Sequence, residues 1–204
     1  MEKKSLIKVV GFSALIAASG AMADAGWYVG LSVGEADFDV SKSDIDDGSV
    51  ITGASLDDTD TSINVYVGYQ LNSYFSVEGG YIDFGEFSIT GVSDGAGSFW
   101  DAGPVKYEGE ADALTLGVRG SYPINDRFSV HGKLGLARWD AEASAMDGSG
   151  TYNLYDDDGT DPYYGAGASY NLGQISLNID YIQYKDIGDE TDTDVISAGI
   201  SYRF

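Results

Sequence analysis

The 204-residue chain has no cysteine, so disulfides and thiolate metal sites are excluded. Basic side chains are scarce as well: Lys and Arg number 11 against 33 Asp and Glu, a formal charge of -22. No Lys/Arg cluster exists to neutralise phosphates, which argues against nucleic acid as a partner. His131 is the only histidine, so paired-histidine chemistry is ruled out. Beyond the N-terminus no apolar run reaches the length of a membrane helix. If the exported chain enters a membrane, it must do so as strands.

The N-terminus reads as a secretory signal over residues 1–23. Lys3, Lys4 and Lys8 form a basic region, Val9 to Ala18 an apolar core, and Ala21-Met22-Ala23 an A-x-A cleavage site. Cleavage there starts the mature chain at Asp24 and makes it more acidic, because three lysines leave with only Glu2. Residues 24–204 have a length that suits one domain.

Apolar residues then recur at every second position, the strand period. Ile63, Val65, Val67, Tyr69 and Leu71 share one face, while Asn64, Tyr66, Gly68 and Gln70 share the other. Segments of this kind are predicted at 27–34, 62–71, 74–85, 111–122, 127–138, 163–172, 175–185 and 193–204. The tight connections Asn72-Ser73, Pro123 to Asp126 and Gly173-Gln174 alternate with long polar ones at 35–61, 86–110, 139–162 and 186–192. All long loops therefore emerge at one end, the habit of outer-membrane barrels with short periplasmic turns.

The two faces decide which way the sheet curls. Phe128, Val130, Leu134 and Leu136 oppose Ser129, His131, Lys133, Gly135 and Ala137. Leu114, Leu116, Val118 and Tyr122 likewise oppose Thr115, Gly117, Arg119 and Ser121. Small polar residues with isolated charges fill a narrow lumen better than they cover a surface. The expected fold is all-β, an eight-stranded antiparallel up-and-down transmembrane β-barrel. Trp27, Tyr69, Tyr74, Phe75, Tyr81, Phe84, Tyr122, Phe128, Tyr164, Tyr170, Tyr181, Tyr202 and Phe204 fall near strand ends, as interfacial girdles do.

The last segment places Ile196, Ala198, Ile200, Tyr202 and Phe204 on one face and ends on the aromatic residue. This pattern resembles the C-terminal signal that barrel-assembly machinery recognises. Four motifs carry a wider resemblance: Val77-Glu78-Gly79-Gly80-Tyr81, Val118-Arg119-Gly120-Ser121-Tyr122-Pro123-Ile124, Lys133-Leu134-Gly135 and Ser201-Tyr202-Arg203-Phe204. Through them the mature chain resembles the transmembrane domain of the outer membrane protein A family, within the porin-like barrels of Gram-negative bacteria. Nothing follows Phe204, so the peptidoglycan-binding domain of full-length members, and anchoring to the cell wall, are not expected.

Glu78, Arg119, Lys133 and Asp180 all fall on the inward face. Buried charges are tolerable when paired and hydrogen-bonded. In the resembled family a lumenal salt-bridge network acts as a plug or gate, and Glu78, Arg119 and Lys133 match its positions. Ser169 and Asn178 depart from it, standing where the family often carries charge. The sharper expectation is that Glu78 with Arg119 closes the lumen; the plainer one is that such pairs only stabilise the interior. His131 faces inward near the periplasmic end, away from any outer-leaflet substrate, so no catalytic residue and no cofactor are expected.

Acidic residues crowd the long connections, among them Asp44, Asp46, Asp47, Asp57, Asp58, Asp60 and Asp156 to Asp158, against Lys42 and Lys106. Asp156-Asp157-Asp158-Gly159 lacks the alternating ligands of a calcium loop, so no metal site is assigned. The expected role is envelope integrity or limited passage of small solutes. The alternative is a surface adhesin or serum-resistance module acting through loops whose aromatics Phe99, Trp100, Tyr107, Tyr152 and Tyr155 would serve as anchors. Expected partners are outer-membrane lipid and lipopolysaccharide, with barrel-assembly machinery and periplasmic chaperones during biogenesis, around a monomer in the cell outer membrane.

Overall fold

Alternation along the chain produces nine strands in the computed structural model, which describes residues 25–40, 50–188 and 191–204. They are β1 (Gly26–Phe38), β2 (Ile51–Asp57), β3 (Thr59–Gln70), β4 (Phe75–Ser93), β5 (Gly103–Pro123), β6 (Phe128–Asp147), β7 (Gly150–Leu172), β8 (Ile175–Ile187) and β9 (Thr191–Arg203). Eight of them follow one another around a closed antiparallel sheet in the order β4-β3-β1-β9-β8-β7-β6-β5, and β4 pairs with β5 to shut it. Closure gives every spanning backbone group a partner, the condition for strands in hydrocarbon. The extra strand β2 takes the place of β3 beside the upper part of β4, joining Ile51 to Ser93. The expected export signal, residues 1–23, lies outside the described residues, as do residues 41–49 of the first long connection.

Val65 and Leu116 face outward, the latter 65% exposed, so the apolar face is turned away from the interior. Leu114, Leu116 and Val118 on β5 continue into Leu134 and Leu136 on β6 as part of an exposed apolar belt. At the short-turn end Trp27 and Tyr69 meet edge-on at 5.0 Å and Tyr202 meets Phe204 at 5.3 Å, forming the lower aromatic border. Phe84 departs from the expected girdle: it has the inward parity of Ser76, Glu78 and Ile82 and is fully buried.

Two of the three short turns share one device. The Asn72 side-chain oxygen accepts from the backbone N–H groups of Tyr74 and Phe75, and Asn125 does the same for Arg127 and Phe128. In the third turn Gly173 takes a left-handed conformation, φ 81°, that a side chain would disfavour. Small interior positions have a different purpose. A Cβ at Gly30 would lie 2.1 Å from the Tyr66 ring, and one at Gly68 equally close to the Tyr28 ring. These residues are cross-strand partners, Gly30 with Tyr66 and Tyr28 with Gly68, so each glycine makes room for a tyrosine lying across it.

The long connections differ most from expectation. Strands β4 to β7 continue well past the membrane boundary, so 86–93, 103–110, 139–147 and 150–162 are mostly strand rather than loop. Their outer face carries two rows of carboxylates in register. Asp83, Asp112, Asp140 and Asp158 form the first, and Glu86, Glu110, Glu142 and Asp156 the second. An apolar cluster of Ile89, Trp100, Val105 and Ala145, with Ile51, Leu56 and Tyr107 against it, gives this extension its own core.

Two outcomes test this arrangement. Leu116→Arg, at mid-belt, is expected to destabilise the barrel by about 2–4 kcal/mol in denaturant unfolding from lipid vesicles. In the second carboxylate row, burial together with Glu142 and Glu86 pushes the Glu110 carboxyl above its ordinary value. Its folded-state value then exceeds its unfolded one. The extension gains stability as pH falls through the folded-state value, and the gain is complete below the ordinary glutamate range. Amide protection factors at Gly109 and Ala111 should rise across that window, and Glu110→Gln should remove the dependence.

Candidate functional site

The four inward charges meet in one layer inside the barrel. Glu78 on β4 lies 3.5 Å from the Arg119 guanidinium and 3.3 Å from Lys133 Nζ, which in turn lies 3.4 Å from Asp180 on β8. Strands β4 and β8 are opposite one another in the ring, so the series Glu78–Lys133–Asp180 ties opposing walls together through β6. The Tyr28 hydroxyl donates to Glu78 at 2.6 Å, and Lys133 stands 5.2 Å over the Tyr66 ring. Two carboxylates thus face a guanidinium and a lysine side chain, all nearly enclosed, with hydrogen bonds occupying much of their remaining capacity.

His131 joins this layer, a member that the sequence alone left apart. Its Nε2 lies 2.7 Å from Asp180, and its Nδ1 lies 3.0 Å from an Arg119 Nη2 donor. Ser169 and Asn178, the two departures from the resembled pattern, complete the same array. Arg119 donates to the Ser169 hydroxyl at 2.7 Å, which donates to Asn178 Oδ1 at 2.7 Å. Ser169, His131 and Asp180 follow one another as a hydrolase triad would, with Ser169 Oγ 3.3 Å from Nδ1. The arrangement is one of mutual satisfaction instead. The hydroxyl proton points to Asn178, and the lone pair that a general base would use accepts from Arg119.

Above the ionic layer, the upper half of the lumen is apolar. Ile82, Phe84, Trp139, Tyr163, Ile182, Tyr184 and Val195 pack with the alanines of β1, β5 and β6 into one buried cluster. Phe84 and Tyr184 come from opposite walls and meet edge-on at 4.8 Å. A void of about 20 Å³, room for about one water, separates this cluster from Glu78 and Lys133. Sequence reasoning missed the layer. Carrying the inward parity of Lys133 and Ala137 forward to Trp139, and that of Asp180 and Ile182 to Tyr184, would have found it. Below the ionic layer the lumen opens toward the short turns as a vestibule of about 700 Å³.

The remaining candidates lie on the outside. Ile196, Ala198, Ile200 and Tyr202 share the outer face of β9, which pairs with β1 and β8, and exposed Phe204 follows it. Of the expected loop anchors, Trp100 is buried in the extension's core and Tyr107 and Tyr155 are partly covered, while Phe99 and Tyr152 remain exposed with rings 6.3 Å apart. Asp156, Asp157 and Asp158 lie on a strand, where successive side chains diverge and cannot converge on one ion. Beside the last long connection, a hydrogen bond from Lys185 holds the Asp192 carboxyl below its ordinary value.

Because the layer is enclosed, removing one partner leaves a charge without compensation. Lys133→Met is expected to cost about 3–5 kcal/mol. The double variant Lys133→Met/Glu78→Gln should recover part of that loss. Denaturant unfolding of the refolded barrel measures the cycle, and strict additivity would show that the two groups do not interact.

Comparison with known proteins agrees with this architecture. The OmpA-like transmembrane domain profile matches residues 22–204. Outer membrane protein A of Escherichia coli O157:H7 is 26% identical over 206 residues, covering 97% of this chain and 53% of that protein. The Serratia marcescens protein of the same name is 31% identical over 147 residues, 68% of this chain and 38% of its own length. The chain therefore spans about half the length, or less, of these curated relatives. Among solved structures, the attachment invasion locus protein Ail of Yersinia pestis superposes with a TM-score of 0.52 at 19% identity, covering 88% of this chain and 99% of that one. Neisserial surface protein A gives 0.52 at 14% identity with the same coverage. At such identities the likeness shows the fold. From the closed lipid-facing sheet and the profile that spans it, the chain belongs to the OmpA-like transmembrane domain family and is a β-barrel of the outer membrane.

Proposed function

We propose that the protein is a structural element of the outer membrane, a closed barrel that supports envelope integrity and passes no solute at rest. The observation that carries this reading is the filled lumen. An ionic layer joins opposite walls, and above it an apolar layer closes the same cross-section with Phe84 against Tyr184. A hydrated ion would have to shed its water and displace both layers. The Glu78–Arg119 pair is then one barrier of two in series, and a porin-like passage of small solutes requires both to rearrange. In this reading the belt contacts outer-membrane lipid and lipopolysaccharide, and the barrel works as a monomer. The outer face of β9 is what the assembly machinery and periplasmic chaperones engage during biogenesis.

A second reading rests on the exposed tip. Phe99 and Tyr152 stand together beside exposed Leu154, above two rows of carboxylates. The fold is shared with Ail, a protein named for attachment and invasion. An adhesin acting through the acidic extracellular end would lose its partner in Phe99→Ala/Tyr152→Ala while keeping its envelope phenotype. A structural barrel has no partner there to lose.

Planar-bilayer recording tests the leading proposal. The wild-type barrel should show no stable conductance steps. Glu78→Ala and Phe84→Ala alone should remain closed, and only the double variant should conduct. Steady channels in the wild type would overturn the closed-barrel proposal, and channels in Glu78→Ala alone would make the ionic layer the sole barrier.

A further inference from the structure

The vestibule beneath the ionic layer plays no part in closing the lumen, and its chemistry is unlike that of the rest of the chain. Turn residues Asn72, Ser73, Asp126 and Gly173 line its mouth, so it opens toward the periplasm. The two layers above it seal the other end. Its volume of about 700 Å³ is in the range of small-molecule sites.

In a protein of formal charge -22, three guanidiniums line this one cavity, Arg119 at its inner end and Arg127 and Arg203 near its mouth, with Asp126 as the one carboxylate among the described lining residues. Arg127 donates to the Tyr170 hydroxyl and Arg203 to the Gln70 side-chain oxygen, both neutral acceptors, and neither arginine forms an ion pair with a described residue. Arg119 is 9% exposed, and its Nε–H is buried without a hydrogen-bond partner among the described residues, while its terminal nitrogens are held by Glu78, Ser169 and His131. Ser76, Ser121, Ser129 and Ser201 add small hydroxyls to the wall. Planar guanidiniums match oxyanions through paired N–H donors, and partial enclosure strengthens such contacts relative to open water.

We propose that the periplasmic vestibule is a binding site for a phosphate-class oxyanion, with Arg127 and Arg203 capturing it at the mouth and Arg119, paired with Glu78, forming the inner end. The group arrives from the periplasmic side, either as a free phosphate or as the headgroup phosphate of an inner-leaflet lipid. This site goes beyond the structural role argued above and does not depend on whether the barrel conducts.

The test uses the refolded barrel in phosphate-free maltoside micelles at constant ionic strength, followed by amide and arginine side-chain NMR. One arm titrates inorganic phosphate and the other a short-chain phosphatidylglycerol. The expected result is saturable shifts confined to the three short turns and the Arg119 Nε–H. Arg127→Gln/Arg203→Gln should weaken binding about tenfold, as lost charge-assisted hydrogen bonds do, and Asp126→Asn should strengthen it. Saturation with phosphate identifies a free anion, and saturation with the lipid alone identifies a headgroup. Absence of saturation in both arms, or unchanged affinity in both the arginine and the Asp126 variants with heat-modifiable gel migration intact, overturns the proposal.

Discussion

Hydrocarbon offers a peptide group no hydrogen-bond partner, so a sheet that crosses it must have no edge. In this chain that constraint is met by eight strands, and eight is few enough that the interior must be filled by side chains. Much of the inner surface follows from the small radius. Tyrosines can lie across the lumen only where a neighbouring strand presents glycine, as Gly30 does for Tyr66 and Gly68 for Tyr28. Charged side chains can enter only where opposite walls bring them a partner, as β4 and β8 do through Lys133. Closure of the backbone thus sets the terms on which every inward residue is chosen.

Those terms explain why Ser169 and Asn178 can stand where related barrels often carry charge. Glu78 and Asp180 already balance Arg119 and Lys133, so a further ion on β7 or β8 would enter this enclosed layer without a counter-charge. A hydroxyl and an amide instead relay hydrogen bonds: Ser169 accepts from Arg119 and donates to Asn178, which reaches Ser201 at 3.2 Å. The layer is neutral in sum and mechanically continuous around the barrel. With hydrogen bonds rather than charge completing it, His131 fits as a neutral bridge between Arg119 and Asp180.

The lipid-facing belt was legible because its residues obey a strict period of two with sharply different faces. Glu78, Arg119, Lys133 and Asp180 were legible for the same reason, since a charge on the polar face of such a strand has only the lumen to enter. Legibility failed where the contrast between faces reverses or fades. Phe84, Trp139 and Tyr184 are apolar residues on the inner face, so their type argued against the parity that placed them inside. Beyond the belt the outer face becomes acidic and the inner one largely alanine and glycine, as in Ala141 to Ala145 opposite Glu110 and Glu142. Hydrophobic periodicity is lost there, and backbone pairing, which the sequence does not display, carries the strands onward.

The extension that results presents a problem that the membrane-spanning part does not have. Among the described residues, 150–162 of β7 pair with β6 alone, because pairing with β8 begins at Tyr163, and β2 pairs only with β4. With respect to the described residues each leaves an open edge, a template for strand addition by another copy. Carboxylates set opposite one another across β4, β5, β6 and β7 oppose the sheet's own stability, so internal packing does not account for them. Their placement does answer the edge. Asp156, Asp157, Asp158, Asp161 and Pro162 all lie on the unpaired stretch of β7, where an incoming identical strand would set like charge on like charge and meet a residue with no N–H to offer. On this account the acidity of the outer end is the counterpart of closure below. In the bilayer the chain removes its edges by joining them, and above it the chain keeps them and charges them against each other.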